Sequence, residues 1–356
     1  MSRHRTRGWG KGFRQLALLL VLGVVAFGCT GCVSGMLAKM AVKAPNQQRV
    51  PKAVRDAEFA ARYDGLYAQQ WRLAVGPPAA ELCVGIVEPG DYAASYRVEV
   101  VTDAKGRRYP KPQVMWTVPA RASVPVRGTV LLLHGYMDAK EDVFHWAVYL
   151  VAQGYRCVLV DLRGHGRSTG DWVSFGAFDA RDLSELIDDL EKRGLSGKSG
   201  VGVLGISYGG STGLLLAARD PRVRAVVALE PYGRADTAVV EFAHEVAPKQ
   251  ATKISAASFA AAVAKAPKLA GFSWGDADVE TAATQITVPV LLFHGARDTW
   301  LAPGNSERIY AKLAGKKNYV VMPDDDHLSL SLRLAPIYET VHAWFDAEFA
   351  VAAARE

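Results

Sequence analysis

The sequence predicts an α/β architecture: a mostly parallel sheet covered by helices on both faces. Three observations lead there. From residue 129 onward, apolar runs of strand length alternate with segments of helical periodicity. Charged, polar and glycine residues gather just after those runs. The 356 residues, half of them apolar and 22% charged, suffice for one large core with additions. Strict strand–helix alternation requires crossover helices on both faces of a parallel sheet, and such sheets bind ligands beyond the carboxyl ends of their strands.

The elements follow in order. Strands are expected at 129–134, 155–162, 201–205, 223–229, 288–294 and 319–322. Helices are expected at 143–153, within 177–192, after Ser207, at 306–313 and at 332–349. Between 231 and 287 the alternation stops. That insertion is alanine-rich, carries Phe242, Phe259, Phe272 and Trp274, is broken by Pro248 and Pro267, and reads as a small helical lid. Upstream, 77–128 alternates apolar and polar runs, as antiparallel strands do. Apolar residues between 52 and 73 (Val54, Phe59, Tyr63, Leu66, Tyr67, Trp71) recur at helical spacing. Residues 33–95 are therefore expected to form a tether followed by a helical extension, with the main domain spanning 96–350.

The net charge of +6 belongs to the start of the chain. Arg3, Arg5, Arg7, Lys11 and Arg14 precede a thirteen-residue apolar run, 16–28, and residues 1–32 contain no acid. The run is shorter than the ~20 residues a membrane span needs and fits the core of an export signal. Without this segment the charge is close to neutral, so nothing basic remains for a nucleic-acid partner. Gly28-Cys29-Thr30-Gly31-Cys32 follows at once. This resembles a bacterial lipoprotein signal, which implies lipidation at Cys29, or alternatively Cys32, and a membrane-anchored protein of the cell envelope. The residue three before the lipidated cysteine, usually Leu, is Ala26 for Cys29 and Cys29 for Cys32. Cys83 and Cys157 sit in apolar runs and read as core thiols, and the spacing matches no metal site.

The chemistry centres on Gly205-Ile206-Ser207-Tyr208-Gly209, placed where a buried strand turns into a helix. A Gly-x-Ser-x-Gly match is weak alone; its strand–turn–helix setting resembles the nucleophile elbow of α/β-hydrolases. A serine hydroxyl needs a base and a group to orient that base, and in that fold the chain order is serine, acid, histidine. Four histidines follow Ser207: His244 in the lid, His342 in a terminal helix, His294 at the end of a strand, and His327 in a polar loop at the sheet edge. His327 is the expected base, and His294 is expected to support its own loop. Asp298, just after the strand at 288–294, is the expected acid. Asp324, Asp325 and Asp326 lie too close to His327 along the chain to reach the far side of its ring easily. They read as a solvated loop, with a modulating role open to one of them. Oxyanion donors are expected from the backbone N–H groups of Tyr208 and Tyr136, with Met137 as the alternative to Tyr136.

His134-Gly135, Asp161-Leu162-Arg163-Gly164-His165-Gly166-Arg167-Ser168, the serine motif, His294-Gly295-Ala296-Arg297-Asp298 and Asp326-His327 together resemble the α/β-hydrolase superfamily over about 96–350. They are closest in style to its monoacylglycerol-lipase-like, serine-aminopeptidase-like and Bem46-type members. The resemblance implies a serine hydrolase of small acyl esters using Ser207, Asp298 and His327 without cofactor or metal. It also implies a structural role for 161–168. Thioester, peptide or acyl-transfer chemistry would use the same machinery, and a non-catalytic envelope binding protein on this fold is the other class. Phe272, Trp274 and Trp300 read equally as pocket lining and as core.

Overall fold

The computed structural model describes residues 30–47, 63, 65–90, 93–102, 108–117, 125–197, 200–332 and 335–353. Eight strands form one sheet: β1 (Gln69–Val75), β2 (Ala80–Val87), β5 (Gly128–Leu133), β6 (Tyr155–Asp161), β7 (Val201–Ile206), β8 (Val223–Leu229), β9 (Val290–Gly295) and β10 (Lys317–Met322). Their order is β1-β2-β6-β5-β7-β8-β9-β10. The β1–β2 and β2–β6 pairs are antiparallel, and every pair from β6 through β10 is parallel. β3 (Ala93–Thr102) and β4 (Arg108–Thr117) form a separate antiparallel pair.

Alternation along each parallel strand sends side chains into two cores. From β5, Leu131 and Leu133 face one core, while Val130 and Leu132 face the other. The first core is closed by α3 (Asp179–Lys192), through Leu183, Leu186, Ile187 and Leu190, and by α4 (Tyr208–Arg219). The second is closed by α2 (Phe144–Ala152), through Trp146 and Leu150, and by α11 (Ala335–Ala353), through Val341, Phe345 and Phe349. Full burial of each such side chain is worth about 1.5–3 kcal/mol, which is why the parallel strands read as unbroken apolar runs.

The insertion expected to form a lid is helical: α5 (Ala235–Val246), α6 (Pro248–Ala251), α7 (Ala256–Ala270) and α8 (Val279–Ala282) lie between β8 and β9. α9 (Gly304–Lys312) separates β9 from β10, and the short α10 (Ser329–Leu332) precedes α11. None of the helices among the described residues is long and apolar enough to cross a membrane.

Three expectations for the N-terminal third differ from the structure. Residues 69–75 are an edge strand, not the end of a helix. Trp71 and Leu73, both half-buried, and buried Val75 satisfy a period of two as well as they satisfy helical spacing, and pairing with β2 decides the matter. Residues 52–62 of that expected helix lie outside the described residues. The sheet therefore begins upstream of residue 96. The expected tether contains α1 (Thr30–Val42), whose buried stripe of Ser34, Ala38 and Val42 packs on the lid helix α7, with its own stripe of Ser258, Ala262, Ala266 and Ala270. Small residues on both stripes let the helix backbones approach closely. Lys265 Nζ donates to Ser34 Oγ at 2.7 Å.

The chain after α1 is stitched to the loop that follows β6. Val173 N–H donates to Val42 O at 2.8 Å, Asn46 N–H to Gly164 O at 3.1 Å, and Asn46 Nδ2 to Ser168 O at 2.6 Å. Most of the expected export signal, including Cys29, lies outside the described residues; Cys32 falls in the first turn of α1. Because Ala38 is fully buried, Ala38→Phe is expected to lower stability by about 1–3 kcal/mol, read as a shift in the denaturant midpoint. A loose tether would tolerate the change.

Candidate active site

β5 is flanked by β6 on one side and β7 on the other, so the chain winds away in both directions from the β5–β7 boundary. A crevice opens at such a switch point beyond the carboxyl ends. Leu133 of β5 pairs with Gly205 of β7, which places the Gly135–Met137 loop and Ser207 side by side at that crevice.

Ser207 joins β7 to α4 with φ 51° and ψ −111°, a conformation that few non-glycine residues adopt. Neighbouring strands and helix hold it there. Its N–H donates to Leu229 O at 2.7 Å, and its carbonyl accepts Ser211 N–H at 3.0 Å. The flanking glycines are steric requirements. A Cβ on Gly205 would lie 2.3 Å from Gly209 O, and one on Gly209 would lie 2.3 Å from Leu133 O. Backbone oxygens cannot give way as a flexible side chain does.

The expected partners meet there. His327 Nε2 lies 3.1 Å from Ser207 Oγ, and His327 Nδ1 lies 2.7 Å from Asp298 Oδ2. Asp298, only 5% exposed, is fixed from several sides. Its Oδ1 accepts the N–H groups of Trp300 at 2.8 Å and Leu301 at 2.9 Å, and its Oδ2 lies 3.2 Å from His294 Nε2. Burial alone would raise this carboxyl. The charge of His327, the hydrogen bonds of His294 and His327, and the Leu301 N–H outweigh it and hold Asp298 well below the usual carboxylate range.

His294 is placed as a loop support, its Nδ1 2.7 Å from Ser306 Oγ and its Nε2 2.9 Å from Leu301 O. Asp326 caps α10, accepting the N–H of Ser329 at 2.8 Å, and exposed Asp324 pairs with Arg297. His244 and His342 stand apart, against Phe259 in the lid and Tyr155 in the core.

The loop expected to supply an oxyanion donor is anchored from beneath. Leu162 N–H donates to His134 Nε2 at 3.0 Å, so the ring proton sits on Nδ1 and donates to Gly135 O at 2.8 Å. Met137 has φ 69°. Tyr208 opens α4, and its hydroxyl donates to buried Asp179 at 2.9 Å while accepting Gly176 N–H at 3.3 Å. The Asp161–Ser168 turn is scaffolding. Asp161 accepts Lys140 N–H at 2.7 Å and Arg167 N–H at 2.9 Å, and Arg163 grips Asp182 through two bonds of 2.7 and 2.8 Å.

Aromatic rings cross the mouth. Phe242 of α5 lies edge-on to Tyr136 at 6.0 Å and to Trp300 at 5.7 Å, and Trp300 stacks on His327 at 5.2 Å. Phe272 and Trp274 pack against Phe175, which itself stands beside Tyr136 and Tyr208, and Trp274 Nε1 donates to Val263 O at 2.8 Å.

Sequence reasoning missed Glu230. It is fully buried at the end of β8, with Oε2 3.8 Å from His327 Nδ1. A lone acid ending an apolar strand was the available signal. Ligand atoms of Glu230, Asp298 and His327 lie within 4.8 Å of one another, a grouping that would suit a cation, although His327 Nδ1 is already engaged by Asp298.

A family profile described as alpha/beta hydrolase fold matches residues 128–253. The chain has the α/β-hydrolase fold. The structure of 2,6-dihydroxy-pseudo-oxynicotine hydrolase superimposes with a TM-score of 0.56 at 19% identity, covering 98% of this chain and 91% of its own. A bacterial membrane phospholipase A gives 0.52 at 19% identity over 94% of this chain and 97% of its own. An esterase of Pyrococcus furiosus gives 0.51 at 19% identity over 72% and 93%. At such identities the likeness is one of fold. Among curated sequences, YfhR of Salmonella typhimurium is 27% identical over 229 residues, covering 63% of this chain and 73% of its own. A monoacylglycerol lipase of Mycolicibacterium smegmatis is 41% identical over 64 residues, 18% of this chain and 21% of that protein.

Three buried histidines beside or beneath this site carry a pH consequence. Burial lowers His134 and His145 from 6.5 to about 4, and burial with neighbouring His134 lowers His165 to about 3. The unfolded chain takes up these protons first as pH falls. The stability these histidines contribute is thus complete above about pH 6.5 and declines toward pH 4, by on the order of 1.4 kcal/mol per pH unit for each histidine. Asp142 and Asp182, raised by burial to about 6, act in the opposite sense. The check is therefore a comparison: thermal unfolding midpoints of the protein are expected to fall relative to those of His145→Gln between pH 7 and pH 4.

Proposed function

We propose that this protein is a serine hydrolase that cleaves carboxylic esters through an acyl-enzyme. The observation carrying the reading is the continuous hydrogen-bonded line from Ser207 Oγ to His327 to Asp298, at 3.1 and 2.7 Å, with the acid shielded from water. The strained turn presents the hydroxyl above the sheet edge. His327 Nε2 takes its proton as Oγ attacks the acyl carbonyl, and Asp298 stabilises the imidazolium that forms. The N–H groups of Tyr208 and Tyr136 receive the oxyanion. His327 then protonates the leaving alcohol, and water, deprotonated by the same ring, releases the acid.

An ester substrate is supported by the 64-residue stretch that is 41% identical to part of a monoacylglycerol lipase and by the aromatic span of Tyr136, Phe242 and Trp300, which offers apolar surface to an acyl group. A fluorophosphonate is expected to label the protein at Ser207. Ser207→Ala is expected to abolish labelling and lower kcat for p-nitrophenyl esters by ~10⁶-fold. Hydrolysis of acyl-CoA or aminoacyl anilides, with esters left intact, would move the activity to thioesters or peptides. A folded protein that takes up no label would be a binding protein on the same fold.

The basic-then-apolar start of the chain and the paired cysteines that follow support export and lipid anchoring in a bacterial envelope. Mass spectrometry of the mature protein is expected to find a diacylated N-terminal Cys29, or Cys32 in its place. An unmodified N-terminus elsewhere would sink the anchor.

A further inference from the structure

Behind the base stands a second carboxyl that the mechanism above does not use. β8 ends at Leu229, and Glu230 follows with φ 53°, another left-handed residue at this sheet edge. Its N–H donates to Phe293 O at 2.9 Å, tying the turn to β9. The side chain is buried beneath the Gly295 backbone, where a Cβ on that glycine would lie 3.2 Å from Glu230 Oε1. Neither carboxyl oxygen makes a well-formed hydrogen bond among the described residues, although the Gly295 N–H lies close enough to favour the ionised form. Yet Oε2 stands 3.8 Å from His327 Nδ1, the nitrogen that Asp298 already engages at 2.7 Å.

We propose that Glu230 is a positioning residue acting through His327, a second carboxyl able to take the Nδ1 hydrogen bond when Asp298 does not supply it. The proposal rests on the hydrolase reading above. Two carboxyls crowding one imidazole nitrogen cannot both ionise cheaply. Asp298 has four donors around it, from His294, His327, Trp300 and Leu301. Among the described residues the charged groups acting on Glu230 include Asp298, Asp325 and Asp326, the Gly295 N–H favours its ionised form, and His327 faces it and can become positive. Burial and these three acids push the Glu230 carboxyl well above its ordinary value. Asp298 therefore carries the charge and Glu230 the proton.

Removing the charge of Asp298 lifts one of the causes that hold the Glu230 proton and leaves burial, the largest, in place, so Glu230 ionises only as the pH is raised. Glu230 then releases its proton to solvent, and its oxygen needs to close by about 1 Å to reach hydrogen-bond distance of Nδ1. Rotation about the side-chain bonds of Glu230 is the movement the proposal requires. The ring keeps its tautomer and orientation, and the imidazolium formed during acylation keeps a counter-charge.

The test is a double-substitution cycle on the full-length protein, reading kcat/KM for p-nitrophenyl acetate from pH 5 to 9. Asp298→Asn is expected to cost ~10²-fold, against the ~10⁴-fold that losing the acid costs where nothing replaces it. Glu230→Gln is expected to cost about 3-fold with Asp298 present and ~10²-fold in the Asp298→Asn background, a non-additivity that marks direct coupling. Activity of Asp298→Asn should also rise with pH through a limb absent from the double variant, because Glu230 must ionise to act. A purely structural Glu230 would leave that limb in place. If Asp298→Asn does not fold, Asp298→Ala with and without Glu230→Gln makes the same comparison. Equal activities for single and double Asp298 variants, with Ser207 still labelled in the parent, overturn the role of Glu230 alone. Absence of labelling in the parent overturns the hydrolase reading, and this proposal with it.

Discussion

Everything at this site depends on one crowded turn. Between β7 and α4 the backbone doubles back so tightly that the space beside Gly205 and Gly209 is filled by carbonyl oxygens. The serine between them takes a left-handed conformation that it would not choose alone. That conformation is affordable because β7 is buried on both faces and bonded to β5 and β8 along its length. The strain is local, and the sheet that over-determines it is large. Its result is a hydroxyl lifted clear of the sheet edge, with the first turn of a helix behind it.

Around that hydroxyl the fold spends a second kind of constraint, the burial of charge. Asp298 is tolerable inside because donors from two loops converge on it. Asp161, Lys140, Glu141 and Arg167 form a comparable network beneath the neighbouring loop. Buried ion pairs of this sort contribute little net stability but penalise any arrangement that separates them, and so they fix loop geometry. Glu230 differs from both, a buried carboxyl whose charged neighbours include Asp298, Asp325 and Asp326.

How much of this was legible in the sequence followed from the range of each interaction. Strands β5 to β9 were legible because burial on both faces forces unbroken apolar runs, and the lid because the alternation halts where it begins. Ser207, Asp298 and His327 were legible because strand ends in such a sheet all open on one edge. Trp71 was ambiguous because its neighbours satisfy two periods within a few residues. α1 was missed because Ser34, Ala38 and Val42 make a weakly apolar stripe, whose worth appears only when the alanines of α7 face it. Glu230 was missed because nothing along the chain marks an acid 68 positions before Asp298 as its neighbour.

By itself, then, the sequence determined the layered α/β architecture and the serine turn, since each is written in local pattern and steric need, while the chain order of the expected partners came from the resemblance to α/β-hydrolases. Only the tertiary structure decided which acid touches which ring nitrogen, that Trp300 and Phe242 close over the base, and that the N-terminal helix clasps the lid. Those outcomes rest on contacts a few ångströms long between residues far apart in the chain. Their free energies come from desolvation and close packing, which exist only once the sheet has brought the surfaces together.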